Sequence, residues 1–184
     1  MSAVETWFGS HFTSLHPLLQ ALHRDGGSLA GTVQIEFGTG VAGWTGRRLA
    51  RALGIPAEAG AHRLQVFIHS NDGVLHWDRR FAERSVFRST FIPTGSFPEG
   101  HWIEQSGALR LLLGVEVIGG GWHWRQRGGR LGGVRLPRIA MPQTRAHKDV
   151  VDGLYRFSVA IDMPLLGTVL HYHGNLAGHP LASR

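Results

Sequence analysis

Residues 62–81, HRLQVFIHSNDGVLHWDRRF, decide the fold. Apolar and polar residues alternate on both sides of Asn71-Asp72-Gly73, and an Asp-Gly step between alternating runs is typical of a tight β-hairpin turn. The segment therefore predicts two strands that pair antiparallel. Further runs with a period of two follow it, so we expect a sheet built mainly of antiparallel neighbours.

Residues 33–43, VQIEFGTGVAG, precede the hairpin and have the G-x-G-x-x-G spacing of a dinucleotide-binding turn. That turn functions within alternating parallel strands and helices. Here the next predicted strand leads into the hairpin, and His62 and Arg63 stand where an acidic residue for the ribose is expected. We therefore interpret the glycines as a strand-to-helix turn with a positive φ, and we predict no cofactor.

Three stretches predict helices. Four leucines recur at i, i+3, i+4 and i+7 and form one apolar face: Leu15, Leu18, Leu19 and Leu22. Ser14 can cap this helix, and Pro17 suits its first turn. We expect a second helix over residues 45–53 and a short third one over residues 142–151.

The rest of the pattern predicts strands. No linker, repeat or low-complexity segment divides the sequence, so we expect a single domain over residues 1–184. Its helical part covers about 1–55 and its antiparallel part about 62–176. The predicted fold class is α+β: a large curved antiparallel β-sheet or barrel of about nine strands, with two or three covering helices.

The composition restricts the possible chemistry. Of 19 basic residues only Lys148 is a lysine, so the net charge of +6 is carried almost wholly by arginine. The absence of cysteine excludes disulfides, cysteine-ligated metals and thiol nucleophiles. The N-terminus has no signal-peptide pattern, and no apolar run approaches the roughly 18 residues that cross a bilayer. We expect a cytoplasmic protein with no membrane partner.

Six stretches together resemble one protein family. They are SLHPLLQALHRDGG (14–27), FGTGVAG (37–43), HWDRRF (76–81), IEQSGALRLLL (103–113), GGVRLPRIAMPQTRAHKDVVDGLYRFSVAI (132–161) and PLLGTVLHYHGNL (164–176). The sequence resembles the bacterial domain-of-unknown-function family 4166. Its members occur alone or behind a saccharopine-dehydrogenase-like NAD(P)-binding domain. The resemblance therefore implies that this chain is a stand-alone copy, with an NAD(P)-binding dehydrogenase-like protein as a candidate partner. The family has no established activity, and the resemblance therefore supplies no catalytic residue.

Trp77, Arg79 and Phe81 are predicted to share one face of a strand. A guanidinium between two aromatic rings that face a core needs a carboxylate or another anion beside it. Glu104 or Glu83 would provide an ion pair within the chain. Alternatively, Arg79 would bind the carboxylate or phosphate of a ligand. Both interpretations remain open at this point.

His171 and His173 lie two apart in a predicted strand, so they share one face while Tyr172 takes the other. Together with Glu104 they are candidates for proton transfer. They could also bind a metal if a third ligand came from a neighbouring strand, with His69, His76, His101, His123 and Glu104 as the candidates. No standard metal-binding spacing is present, and we predict no metal site.

The arginine-rich segment 121–138, GWHWRQRGGRLGGVRLPR, superficially resembles an RNA-binding tract. Such tracts are disordered, whereas here Trp122 and Trp124 alternate with His123 and Arg125 as in a strand. A solvated hairpin explains the segment better, and we do not expect nucleic acid as a partner.

The leading hypothesis is a protein that binds a small hydrophobic or anionic molecule in a pocket of the sheet. Seven aromatic residues are the predicted lining: Trp77, Phe81, Phe87, Trp102, Trp122, Trp124 and Phe157. The ligand-binding candidates are Arg79, Trp77, Phe81, Trp102, His16 and His23, the two histidines because they flank the leucine face of the first helix. The alternative is a cofactor-independent isomerase, hydratase or lyase with Glu104, His171 and His173 as its catalytic residues.

Overall fold

The structure, a computed structural model, describes residues 2–81, 86–107, 109–135, 137 and 141–182. Its helices are α1 (Ala3–Phe8), a 3-10 helix (Gly9–Ser14), α2 (Pro17–Arg24) and α3 (Gly40–Ala52). Its strands are β1 (Gly27–Phe37), β2 (Gly60–Asn71), β3 (Val74–Phe81), β4 (Phe87–Thr94), β5 (His101–Ser106), β6 (Leu109–Ile118), β7 (Gly121–Leu131), β8 (Val134–Arg135), β9 (Gln143–Val151), β10 (Leu154–Met163) and β11 (Gly167–Pro180).

Ten of the strands close into an antiparallel barrel. Their order is β6-β5-β4-β3-β2-β1-β11-β10-β9-β7, and pairing of β7 with β6 completes the ring. Strand β8 pairs with β7 outside the ring. The predicted fold class, an antiparallel barrel with covering helices, is confirmed, although the described residues form eleven strands rather than about nine.

The 62–81 hairpin forms as predicted. Strands β2 and β3 pair antiparallel up to Asn71 and Val74, and the two residues between them, Asp72 and Gly73, have φ values of 49° and 75°. Two positive φ values in a two-residue connection match the twist of the strands that it joins. The sequence Asn-Asp-Gly therefore sets the register of this pair.

The 38–43 glycines serve packing and a turn. Strand β2 runs antiparallel to β1 although α3 lies between them in sequence, so no parallel crossover of the dinucleotide-binding kind is formed. Gly40 has a φ of 54°, as expected for a strand-to-helix turn. A Cβ on Gly38 would lie 2.7 Å from the Thr168 carbonyl oxygen, and one on Gly46 would overlap the Val169 carbonyl. The small residues thus let α3 lie directly against β11.

Three helix predictions need correction. Helix α2 is capped by His16, whose Nδ1 accepts a hydrogen bond from the Leu18 backbone N–H at 3.1 Å, and Ser14 ends the preceding 3-10 helix instead. Helix α3 begins at Gly40 rather than at residue 45. The helix predicted over 142–151 is wrong, because these residues form β9, which pairs with β10 on one side and β7 on the other.

The helical part predicted over residues 1–55 needs two further corrections. It contains strand β1, and it begins with helix α1, which the sequence analysis did not predict. A capping box begins α1: Ser2 Oγ accepts from the Glu5 backbone N–H at 3.2 Å, and the Ser2 N–H donates to the Glu5 carboxylate at 3.0 Å. This reciprocal pair satisfies two donors at the start of the helix. The Ser-x-x-Glu spacing in residues 2–5 was thus the available sequence signal.

The core lies inside the barrel and under the first two helices. Inward-facing residues alternate with exposed ones along each strand, as Leu64, Val66 and Ile68 do in β2. Trp7 of α1 packs edge-on against Trp102, with ring centroids 5.3 Å apart. Helices α1 and α2 therefore cover one end of the barrel. Among the described residues, no helix is long and apolar enough to cross a membrane.

Candidate ligand cavity in the barrel

The barrel contains a partly open cavity of about 120 Å³. Aromatic side chains form much of its wall: Trp77, Phe87, Phe91, Trp124, Tyr155, Phe157 and Tyr172. Arg79, Lys148 and Glu104 add charged groups, and Ser106 and Thr144 add hydroxyl groups. An engineered cavity of about 150 Å³ holds a benzene molecule, so this space suits a small molecule rather than a long lipid chain.

Arg79 reaches the cavity from β3 and is 9% exposed. Its Nη1 donates to Ser89 Oγ at 2.8 Å, and Ser89 Oγ lies 3.0 Å from Ser106 Oγ. The guanidinium carbon lies 5.2 Å from the centre of the Trp77 ring and 5.3 Å from that of Phe87. Cation–π contact and one hydroxyl acceptor therefore hold the guanidinium in place.

Glu104 lines the same cavity from β5 and is half-buried. An ion pair is defined by an N···O distance of 4.0 Å or less. Among the described residues, Glu104 forms no such pair with Arg79, although the sequence predicted one. The other proposed partner, Glu83, lies outside the described residues. The structure thus brings Arg79 and Glu104 into one cavity without joining them.

Lys148 is a charged residue of this site that the sequence predictions missed, as they also missed the lining residues Phe91, Tyr155 and Tyr172. It faces inward from β9 and is 2% exposed. Its Nζ lies 2.7 Å from His23 Nε2, 3.9 Å from the Trp122 ring centre and 4.3 Å from that of Trp77. In the part of the chain that the structure describes, no carboxylate forms an ion pair with it.

Burial determines the protonation of this pair. It lowers the pKa of Lys148 well below the ordinary value, and the positive charge of Arg79 lowers it further. Burial likewise lowers the pKa of His23, with the charge of Lys148 adding to the effect. The site therefore disfavours positive charge on both side chains until a negative group enters.

One sequence signal pointed to Lys148. It is the single lysine in a chain whose other 18 basic residues are arginines. An ammonium group fits where a guanidinium does not, because it is compact and can lose its proton when buried. Because residues 142–151 were predicted as a helix, the strand that points Lys148 inward was not foreseen.

The other ligand-binding candidates lie at different depths. Trp77 lines the cavity. Trp102 is completely buried beneath α1, and Phe81 packs edge-on against Tyr172 with centroids 6.3 Å apart. His16 is exposed at the start of α2, away from the cavity, whereas His23 reaches it through Lys148.

His171 and His173 lie on the outer face of β11, because the residue between them, Tyr172, lines the cavity. His171 Nδ1 lies 3.0 Å from Glu36 Oε2. The structure therefore does not bring the two histidines together with Glu104. Of the three candidate catalytic residues, Glu104 alone reaches the interior.

The arginine-rich segment forms β7 over Gly121–Leu131, with the alternation that its sequence indicates. Trp122 and Trp124 are buried, while Arg125 and Arg127 are exposed. The sequence offers two glycine pairs for the turn of this hairpin, Gly128-Gly129 and Gly132-Gly133, and the chain turns at the second.

Comparison with known proteins places the chain in a family without naming an activity. A comparison with curated proteins gives no match. A family model matches residues 15–176, which cover most of the chain and include every element from α2 to β10 as well as the cavity-lining part of β11. The chain belongs to the family described as Domain of unknown function (DUF4166).

Proposed function

We propose that this protein binds a small apolar carboxylate in the barrel cavity, with Arg79 as the main anchor. The carrying observation is the balance of buried charge. Arg79 and Lys148 are at most 9% exposed, and Lys148 becomes cationic when an anion enters. The carboxylate that lines the same cavity, Glu104, is half-buried and forms no ion pair with either side chain among the described residues. A bound anion would supply a partner for both side chains.

The shape and lining of the cavity support a ligand of limited size. A volume of about 120 Å³ is close to the roughly 150 Å³ that accommodates benzene. The aromatic wall favours a flat ring or a short alkyl chain, because such groups pack against ring faces and edges. Benzoate and hexanoate each join such an apolar group to a carboxylate, so they are suitable test ligands.

An unpaired donor adds to the support. The indole N–H of Trp77 is buried and has no hydrogen-bond partner among the described residues. Leaving a buried donor unpaired costs about 1–3 kcal/mol. A carboxylate oxygen or a ligand-bound water in the cavity would be an acceptor for this group.

Calorimetric titration with matched ligands tests the proposal. We expect benzoate and hexanoate to bind more tightly than benzyl alcohol and hexanol, which have similar apolar parts but no charge. Arg79→Met should weaken carboxylate binding by roughly 10- to 150-fold, since a hydrogen bond to a charged group contributes about 1.5–3 kcal/mol. The matched control is Arg80→Met, because Arg80 is on the same strand but exposed.

Three outcomes would contradict the proposal: equal affinity for acids and alcohols, equal losses in the Arg79 and Arg80 variants, or no binding by the wild-type protein. Circular dichroism of each variant separates loss of binding from loss of folding. If Arg79→Met does not fold, the comparison of acids with alcohols on the wild-type protein still decides the matter.

The second candidate function is a cofactor-independent isomerase, hydratase or lyase on the same scaffold. The hydrogen-bonded pair Lys148–His23 favours it, because burial lowers the pKa of the amine and so makes its neutral form available as a proton acceptor. Glu104 would be the second proton-transfer group. In this reading Glu104→Gln abolishes turnover and leaves binding intact, whereas for a binding protein turnover is absent in both forms.

A further inference from the structure

We propose that Glu36, His171 and His173 form a zinc-binding site on the outer face of the barrel. The three side chains come from the adjacent strands β1 and β11, and Glu36 lies directly opposite His171 in their register. One ligand atom from each residue can be chosen so that all three lie within 4.8 Å of one another. Two imidazoles and a carboxylate with an open fourth position are an established zinc ligand set.

The distances are close to those that an ion needs. His171 Nδ1 lies 3.0 Å from Glu36 Oε2, and His173 Nε2 lies 3.9 Å from Glu36 Oε1. A tetrahedral zinc ion with bonds of about 2.0–2.1 Å holds its ligand atoms about 3.3 Å apart. Small side-chain rotations therefore suffice, and the paired strands keep the backbone positions fixed.

A second contact orients the first histidine. Ser158 Oγ of β10 lies 2.9 Å from His171 Nε2, which leaves Nδ1 directed toward Glu36. A hydroxyl can donate to this nitrogen or accept from it, so Ser158 can hold the ring whether Nδ1 carries a proton or a metal. Metal-binding histidines usually have such a partner on the other ring nitrogen.

The carboxylate of Glu36 is accessible on the outer face of the barrel and faces both histidines. Asp162 on β10 also lies within electrostatic range of His171, but Arg145 and Thr168 hold its carboxylate. Among the described residues, Glu36 has no arginine partner that would compete with a metal ion.

The chain offers a matched control for this site. His123 and His147 also stack, with ring centroids 5.2 Å apart, compared with 4.6 Å for His171 and His173. The two carboxylates whose charges act on His123 are already paired, Glu116 with Arg125 and Asp149 with Arg156. Stacked histidines alone therefore do not distinguish the proposed site, whereas Glu36 does, because among the described residues its carboxylate pairs with the two histidines and with no arginine.

Zinc titration of the tag-free, chelator-treated protein tests the proposal. We expect one saturable zinc per chain, with no competition from Mg²⁺, because imidazole ligands favour zinc. The double variant His171→Ala/His173→Ala should lose at least 100-fold in affinity, and Glu36→Gln at least tenfold. Ser158→Ala should lose roughly tenfold, the usual effect of removing a supporting contact.

The control variant His123→Ala/His147→Ala should bind zinc within twofold of the wild-type affinity. Zinc should also raise the Tm of the wild-type and control proteins but not that of His171→Ala/His173→Ala. The proposal is overturned if the wild type shows no one-to-one binding, if Glu36→Gln binds normally, or if the control loses as much affinity as the proposed-site variant.

Discussion

Replacing the buried lysine should change how stability depends on pH. Lys148 is 2% exposed, and burial and the charge of Arg79 lower its pKa in the folded protein. In the unfolded chain its pKa is about 10.4. Between these two values the unfolded state holds a proton that the folded state has lost, so the free energy of unfolding rises as pH rises.

The magnitude follows from one proton. The slope is at most about 1.4 kcal/mol per pH unit, which gives up to about 2.7 kcal/mol between pH 7 and pH 9. For a chain of this length that corresponds to a rise in Tm of about 5–11 °C. The raised pKa values of Tyr155 and Tyr172 have the opposite effect, but only above about pH 10, where these groups ionise in the unfolded chain.

Thermal unfolding of wild type and Lys148→Met at pH 7, 8 and 9, followed by circular dichroism, measures this slope. We expect the rise in Tm in the wild type and no comparable rise in the variant. Methionine leaves His23 Nε2 without its partner, which offsets part of the gain from removing a buried amine. The slope is therefore a better test than the stability at a single pH.

A matched variant and a contrary result complete the test. Arg145→Met lies on the same strand with its side chain exposed, so it should keep the wild-type slope. If wild type and Lys148→Met show the same flat dependence, Lys148 keeps its proton throughout. The contacts with Trp77, Trp122 and Trp124 would then outweigh burial, since a desolvated cation–π contact can contribute about 2 kcal/mol.

Three further predictions follow from other contacts. Benzoate binding at pH 7.5 should take up as much as one proton, because the bound anion favours charged Lys148. Calorimetry in two buffers of different ionisation enthalpy measures this proton uptake, and equal binding heats in the two buffers would contradict the prediction. Gly46→Ala should lower the free energy of unfolding by about 1–3 kcal/mol, because its Cβ would overlap the Val169 carbonyl; an unchanged urea midpoint would show that α3 can move aside. Ser2→Ala should lower it by about 1 kcal/mol through loss of the cap on the Glu5 N–H, and an unchanged Tm would mean that α1 does not need this cap.

The sequence by itself determined the antiparallel class of the fold. Alternation and the Asn71-Asp72-Gly73 turn are local properties, and local geometry dictates which residues of a strand share a face. The shared inward face of Trp77 and Arg79 was therefore predictable, as was the opposite facing of Tyr172 and its flanking histidines.

Only the tertiary structure decided which faces meet. Residues 142–151 have no strong turn or alternation signal, and they become a strand because β7 and β10 offer pairing on both edges. Closure of the barrel then brings Lys148 to His23, 125 positions away in sequence, and Glu36 to His171, 135 positions away. Such contacts depend on the register and order of strands that are distant in sequence, which no local pattern encodes.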